Sequence, residues 1–320
     1  MLGIEKLMEI IFNRENTPKD KREDFDVEGK FIHGLLFYNS YFDKVAKALP
    51  KQTVCFIVGG WVRDRLINRP IGNKIDVDFI VTSDPFEIVK NLQKIVGGSI
   101  FQFEKEKKVA SIVFFEGDVR YRFDFSYLDI SDIMSSNVDL NEKEKQIIKR
   151  IEEDLLKRDF TINAIAVNFD DTLGLGASQT VLFDPSNGLE DLNEGIVRPI
   201  SFQNIQEDPV RILRGYRIAQ EINFKIEKEF DKWVSKNREL IKQSPKERIR
   251  DELLKIFDEE GTSETLKTMI NKKLLQVVIP EIEEMVKIKR QESYHKYPLI
   301  EHSLKTVEYM ENFLKKKRIL

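Results

Sequence analysis

From residue 53 to 127 the apolar positions come in short alternating runs with the period of β-strands. TVCFIVG, IDVDFIVT, SIFQFE, KVASIVFFEG and DVRYRFDFSYL carry β-branched and aromatic residues and are bounded by Gly, Asn and Asp. A helix fits between the first two runs, from Trp61. A second fits DPFEIVKNLQKIV, with Asp84 as N-cap and Pro85 as its first residue. The expectation is a mixed sheet with helices packed against it. Upstream, the polar lead-in NRENTPKDKREDFDVEGK gives way to FIHGLLFYNSYFDKVAKAL, which predicts one helix. Residues 128–157 are polar, and NEKEKQIIKRIEEDLL reads as an exposed helix whose charges form a solvated face. After about residue 200 the pattern is helical only, in EDPVRILRGYRIAQEI, EKEFDKWVSKNREL, SPKERIRDELLKIFDE and SETLKTMINKKLL. The fold class is therefore α+β, a mixed-sheet head followed by an all-helical remainder. The expected divisions are residues 1–50 (lead-in and helix), 51–170, 171–260 and 261–320 (helical).

Composition narrows this picture only a little. A chain of 320 residues is long enough for two or three compact units, and an apolar content of 41% is enough to build real cores. The single cysteine, Cys55, excludes a disulfide framework and any cysteine-based zinc site; within TVCFIV it reads as a small buried apolar residue. No apolar run approaches the ~20 residues of a membrane span, and no signal-peptide pattern is present, so a soluble, cytoplasmic protein is expected. A net charge of −3 gives no support to nucleic-acid binding through the overall field, although a local basic groove can coexist with an acidic remainder.

Candidate chemistry concentrates in FIVGGWVRDRLINRPIGNKIDVDFIV. Asp76 and Asp78 stand two apart in a strand, so both carboxylates project to one face, with Ile75, Val77, Phe79 and Val81 on the other. Two adjacent acids repel unless a counter-ion joins them, and hard oxygen ligands suit Mg²⁺. Gly59 and Gly60 let backbone approach a phosphate where the next helix begins, and Arg63 in its first turn can meet a triphosphate, while Asp64 could fix it or cap the helix. A third acid is needed for a two-metal site; Asp124, alternating with Phe123 and Phe125, is the best candidate, with Asp118, Asp129 and Asp132 as rivals.

Three further blocks follow. DLLKRDFTINAIAVN puts Arg158 and Asp159 just before an apolar helix that carries Asn163, and DPSNGLEDL reads as a turn built by Asp184, Gly188 and Asp191. QEDPVRILRGYRIA sets Asp208, Arg211 and Arg214 at i, i+3 and i+6 on one helical face. Such a face offers donors and acceptors to a base edge, yet from this block alone an ordinary intrahelical salt bridge is the preferred reading.

Taken in order, these motifs resemble the class II tRNA nucleotidyltransferase (CCA-adding) and bacterial poly(A) polymerase family, within the DNA polymerase β superfamily. The resemblance covers roughly residues 53–257 in four motifs, with SPKERIRDEL at 244–253 as a fifth candidate. It implies a polymerase-β-like head, a neck that selects the nucleotide, and a helical body and tail that hold RNA. Asp76 and Asp78, with Asp124 as the third acid, would be the catalytic metal ligands for Mg²⁺, and Gly59, Gly60 and Arg63 would meet the triphosphate. Arg158, Asp159 and Asn163 would contact sugar and phosphate; Asp208 and Arg211 would read the base of ATP or CTP, supported by Arg214. The implied partner is the 3′ end of tRNA.

Two departures stand out. Lys157 occupies a position where the family has a second arginine, which keeps the charge and loses the bidentate fork. YHKYPLIEHSL, with His295 and His302, resembles the start of an HD-like phosphohydrolase domain, but no His-Asp doublet follows, so capping or packing histidines are expected. Addition of CCA, CC or A alone, and poly(A) synthesis, all remain open at this level. Outside that class stand a nucleotide- or RNA-binding module without catalysis and a transferase acting on small molecules.

Overall fold

A computed structural model describes residues 31–103, 108–173, 179–288 and 296–316. The lead-in up to residue 30 and His295 lie outside the described residues. Contacts divide the chain into two compact units. One holds the described residues up to Arg158 together with Ile162–Leu189; the other holds Asp159–Thr161 and the described residues from Glu190 onward.

The first unit is an eight-stranded mixed sheet. Its strands are β1 (Phe31–His33), β2 (Cys55–Val58), β3 (Lys74–Val81), β4 (Ser99–Phe103), β5 (Val109–Glu116), β6 (Val119–Tyr127), β7 (Ala166–Asn168) and β8 (Gln179–Phe183), in the order β1-β8-β7-β2-β3-β6-β5-β4. β3 and β6 run parallel; their neighbouring pairs run antiparallel. In β3 the expected alternation appears residue by residue: Asp76 and Asp78 are exposed, while Ile75, Val77 and Phe79 are buried. Phe79 stacks on Phe125 across the strand pair with ring centres 4.7 Å apart, and Phe42 and Phe123 meet Phe79 edge-on. The helices Phe42–Ala48 and Pro85–Val96 pack together below these rings. Asp84 caps the second through a bond from the Phe86 N–H, with Pro85 at its first position. Cys55 is buried among apolar neighbours, and burial raises its thiol pKa.

Two local expectations are corrected. The single helix predicted over 31–49 is instead β1, a 3₁₀ turn at Gly34–Phe37 and the helix Phe42–Ala48. The Asn39 side chain accepts from the Tyr41 N–H, a turn that competes with continued helix. The apolar run after Arg158 is not a helix: a 3₁₀ turn at Thr161–Asn163 leads into β7, fully buried between β2 and β8. A short apolar run cannot be assigned to helix or strand by its period alone, and here sheet pairing decides.

The second unit is helical apart from a two-stranded parallel sheet of β9 (Ile196–Val197) and β10 (Lys225–Ile226). Its central helix, Arg211–Glu221, packs against Lys246–Asp258 and Thr262–Asn271. Among the described residues no helix is long and apolar enough to cross a membrane.

Gly215 lies where this central helix meets two aromatic rings. A Cβ there would stand 2.8 Å from Phe160 and 2.9 Å from Phe230. Alanine in a helix interior normally gains about 1 kcal/mol over glycine, but overpacking a filled core costs about 1–3 kcal/mol. Gly215→Ala is therefore expected to lower the unfolding free energy by roughly 1–2 kcal/mol in urea titration; an unchanged midpoint would contradict this packing.

Candidate active site

In the first unit, the in-register pairing of β3 with β6 places Asp78 opposite Asp124 and Asp76 opposite Arg122. All four face away from the phenylalanine core. Asp76 accepts a bond from Arg120 Nη2 at 2.7 Å, and Asp124 accepts one from Arg122 Nε at 3.0 Å. Asp118, Asp129 and Asp132 do not share this row: Asp129 caps the Ser131 N–H, and Asp132 pairs with Arg150. Among the described residues no three acids are gathered as a ready cage for an ion, and Asp76 and Asp124 each accept from an arginine. The donor set nonetheless fits a hard divalent cation, being three carboxylates on one face of two adjacent strands.

Asp78 sits at the bottom of a cleft lined by Ser111, Arg122, Asp124 and Arg158. Its carboxylate is reached by solvent but surrounded by protein. Its pKa is raised to about 6, chiefly by burial; Arg158 and Arg122 oppose the rise, while Asp124 and Asp76 add to it. The neighbouring acids thus add to what burial alone does, and the arginines oppose both.

The Gly-Gly turn lies directly behind this acid. Gly59 adopts φ +78°, and a Cβ on it would come within 3.0 Å of Asp78 Oδ2 and 3.5 Å of Arg158 Nη1. Only glycine fits both the backbone and the space. Gly60 opens the helix Gly60–Leu66. Arg63, expected to reach outward, is buried; its Nε donates to Asp64 at 2.7 Å and its Nη1 to Asn163 at 2.9 Å. Arg63 and Asn163 are thus brought together across a hundred residues of sequence, and Arg158 lies beside Gly59 and Asp78. Asp184 binds the Gly188 and Leu189 N–H groups as a buried turn residue.

In the second unit Asp159 is buried, accepting from the Phe160 N–H at 2.7 Å and from Arg214 Nη1 at 3.1 Å. Asp191, expected in the turn with Asp184, lies instead on the helix Gly188–Glu194 and holds Thr161 and Arg198. Asp208 is not on the helical face with Arg211 and Arg214. It precedes the helix in extended backbone (φ −140°, ψ 83°), and Pro209 separates it from the first turn. Arg211 approaches it at 3.7 Å, while Arg248 clamps both its oxygens at 2.8 Å. Arg214 turns to Asp159 and Glu252, and Arg217 also bonds Glu252 at 2.7 Å. Burial alone would lower the Arg214 pKa; Asp159 and Glu252 outweigh it and raise it.

Arg248 and Glu252 both come from SPKERIRDEL, whose residues carry no local sign of these partners. Only the fold brings them to positions forty residues away. His302 lies on the helix Leu299–Lys316, where its carbonyl accepts from Thr306.

Two models of known families match this chain. The Poly A polymerase head domain matches residues 55–198, and a model described as "Probable RNA and SrmB- binding site of polymerase A" matches residues 223–286. The chain is 28% identical over 229 residues to a CCA-adding enzyme of Lactobacillus gasseri, covering 70% of this chain and 51% of that one. It is 30% identical over 204 residues to a CC-adding tRNA nucleotidyltransferase of Synechocystis sp., covering 64% and 41%. An A-adding tRNA nucleotidyltransferase of Aquifex aeolicus is 28% identical over 239 residues, covering 70% and 25%. The chain thus spans about half, or less, of the length of these curated relatives. Its fold is similar to a CCA-adding enzyme solved in an apo form, with TM-score 0.61, 23% identity, and coverage of 79% of this chain and 56% of that one. A tRNA nucleotidyltransferase solved with a primer tRNA and an incoming ATP analog gives TM-score 0.55 at 28% identity, covering 74% and 62%.

The site generates two expectations. Asp78 is protonated more readily folded than unfolded, so its ionisation costs stability as pH rises from about 4 to about 6. Asp78→Asn should therefore raise the melting temperature above pH 6 and lose that advantage below about pH 4; a gain independent of pH would contradict the raised pKa. Glu252→Ala would leave Arg214 and Arg217 short of a buried partner, at a cost of about 3–5 kcal/mol by chemical denaturation; a loss below about 1 kcal/mol would contradict the network.

Proposed function

Because the chain belongs to the class II tRNA nucleotidyltransferase and poly(A) polymerase family, we propose that it adds CMP, AMP or both to the 3′ end of tRNA with release of pyrophosphate. The observation that carries this reading is the pairing of Asp78 with Asp124 beside Asp76, with the Gly59–Gly60 turn and Arg158 directly behind. On this reading a cation and the attacking hydroxyl would meet at the acids, and the triphosphate would lie against the turn and the arginine.

Each residue then has a task. Gly59 and Gly60 admit the phosphates close to backbone N–H groups, and Arg158 offsets their charge. Arg63, buried, holds Asn163 in place for the sugar rather than reaching the phosphates itself. Asp76, Asp78 and Asp124 would hold Mg²⁺. When bound, the ion lowers the pKa of the attacking hydroxyl and neutralises charge on the transferred phosphoryl group. In the second unit, Asp208 and Arg211 would read the Watson–Crick edge of the base. Arg248 fixes the Asp208 carboxylate by two bonds and leaves it lone pairs for a base donor. Arg214 and Asp159 form the supporting pair. The reading assigns the protein to the cytoplasm, as an enzyme of tRNA maturation.

The test uses tRNA ending at the discriminator base, at C or at CC, with labelled CTP and ATP supplied separately. Incorporation should depend on the acceptor end and fall at least a thousandfold in Asp76→Ala and Asp78→Ala proteins that melt cooperatively, an estimate of about 4 kcal/mol in transition-state stabilisation. Retained incorporation by a folded variant would sink the assignment. Untemplated runs of A on any RNA would move it to poly(A) synthesis.

A further inference from the structure

The row that contains the acids continues across the sheet. Asp78 on β3 lies opposite Asp124 on β6, Asp124 opposite Ser111 on β5, and Ser111 opposite Phe101 on β4. Ser111 is only 1% exposed, lines the cleft together with Asp78 and Asp124, and its Oγ finds no hydrogen-bond partner among the described residues. A buried hydroxyl without a partner costs stability, and each such group in a folded protein requires an explanation. Phe101, by contrast, is half exposed at the far end of the row.

Direction comes from the chemistry of transfer. The Gly59–Gly60 turn, where the triphosphate lies, is on the β2 side of the acids. In an in-line displacement the attacking oxygen enters opposite the leaving pyrophosphate. The acceptor must therefore approach from the β5 side, over Ser111. Neighbouring strands are about 4.8 Å apart, so Ser111 lies one strand step from Asp124 and Phe101 one step further.

We propose that Ser111 binds the 2′-hydroxyl of the acceptor's terminal ribose, with Phe101 offering its ring to the terminal base. This deepens, and rests on, the nucleotidyl-transfer reading above. A serine hydroxyl both donates and accepts, as a ribose 2′-hydroxyl does, and that group is what distinguishes RNA from DNA at a single position. Stacking on Phe101 accepts any base, so the pair selects a ribose end without selecting sequence.

The experiment compares two tRNA acceptors, one ending in a ribonucleotide and one in the 2′-deoxynucleotide, with wild-type protein and Ser111→Ala. Wild type should prefer the ribose end by roughly three- to tenfold in kcat/KM, as expected for one hydrogen bond. Ser111→Ala should lose that preference by slowing only on the ribose end. Its KM for the nucleotide should not change and its melting temperature should not fall, since the substitution removes an unsatisfied hydroxyl. Phe101→Ala should raise the KM for both acceptors alike. Equal loss on both acceptors in Ser111→Ala, or an undiminished preference, overturns the assignment while leaving the transfer reading standing. A wild-type protein that extends neither acceptor overturns both.

Discussion

The register between β3 and β6 is the constraint on which the site depends. Asp76, Asp78 and Asp124 reach one face only because Val77, Phe79, Phe123 and Phe125 occupy the other. A slip of one residue would bury the acids and expose the rings. Each buried phenylalanine stabilises its placement by about 1.5–3 kcal/mol, and several lie in this core. The hydrophobic face thus holds three acids on one face, where Arg120, Arg122 and Arg158 offset part of their charge.

The same logic, with different partners, orders the second unit. Glu252 is buried between Arg214 and Arg217, and its pKa is lowered because these arginines outweigh the burial that would raise it. Arg214 passes the constraint on to Asp159, whose carbonyl also accepts from the Ile200 N–H. Arg248 clamps Asp208 from the neighbouring helix Lys246–Asp258. The arginines around the buried Asp159 and Glu252 orient each acid more tightly than a surface salt bridge would, because an unpaired member in the interior is costly.

Local pattern made the strands, the Asp84 cap and the shared face of Asp76 and Asp78 readable from the chain, since each depends on neighbours within a few positions. The alternation around Asp124 also placed it on the correct face. Less was readable where long-range pairing decides. FIHGLLFYNS is apolar enough for a helix but joins β8 as a strand at its start, and AIAVN is buried on both sides as β7. Pro209 breaks the spacing that put Asp208 on a helix. Arg248, Glu252 and Ser111 carry no local signal, because their meaning lies in partners on other elements. Ser111 could have been found only by following the strand register outward from Asp124.

Carboxylates held beside a glycine turn, in a cleft that Ser111 of β5 also lines, support the proposed site with a phosphate side and an acceptor side. The direct measurement of this claim is pyrophosphate release by the intact protein, with and without Mg²⁺, using CTP or ATP and tRNA lacking its 3′-terminal nucleotides. The account predicts release that requires the ion and the incomplete tRNA together, and that stops once the end is completed. Release without tRNA, or equal release with a completed 3′ end, would contradict it.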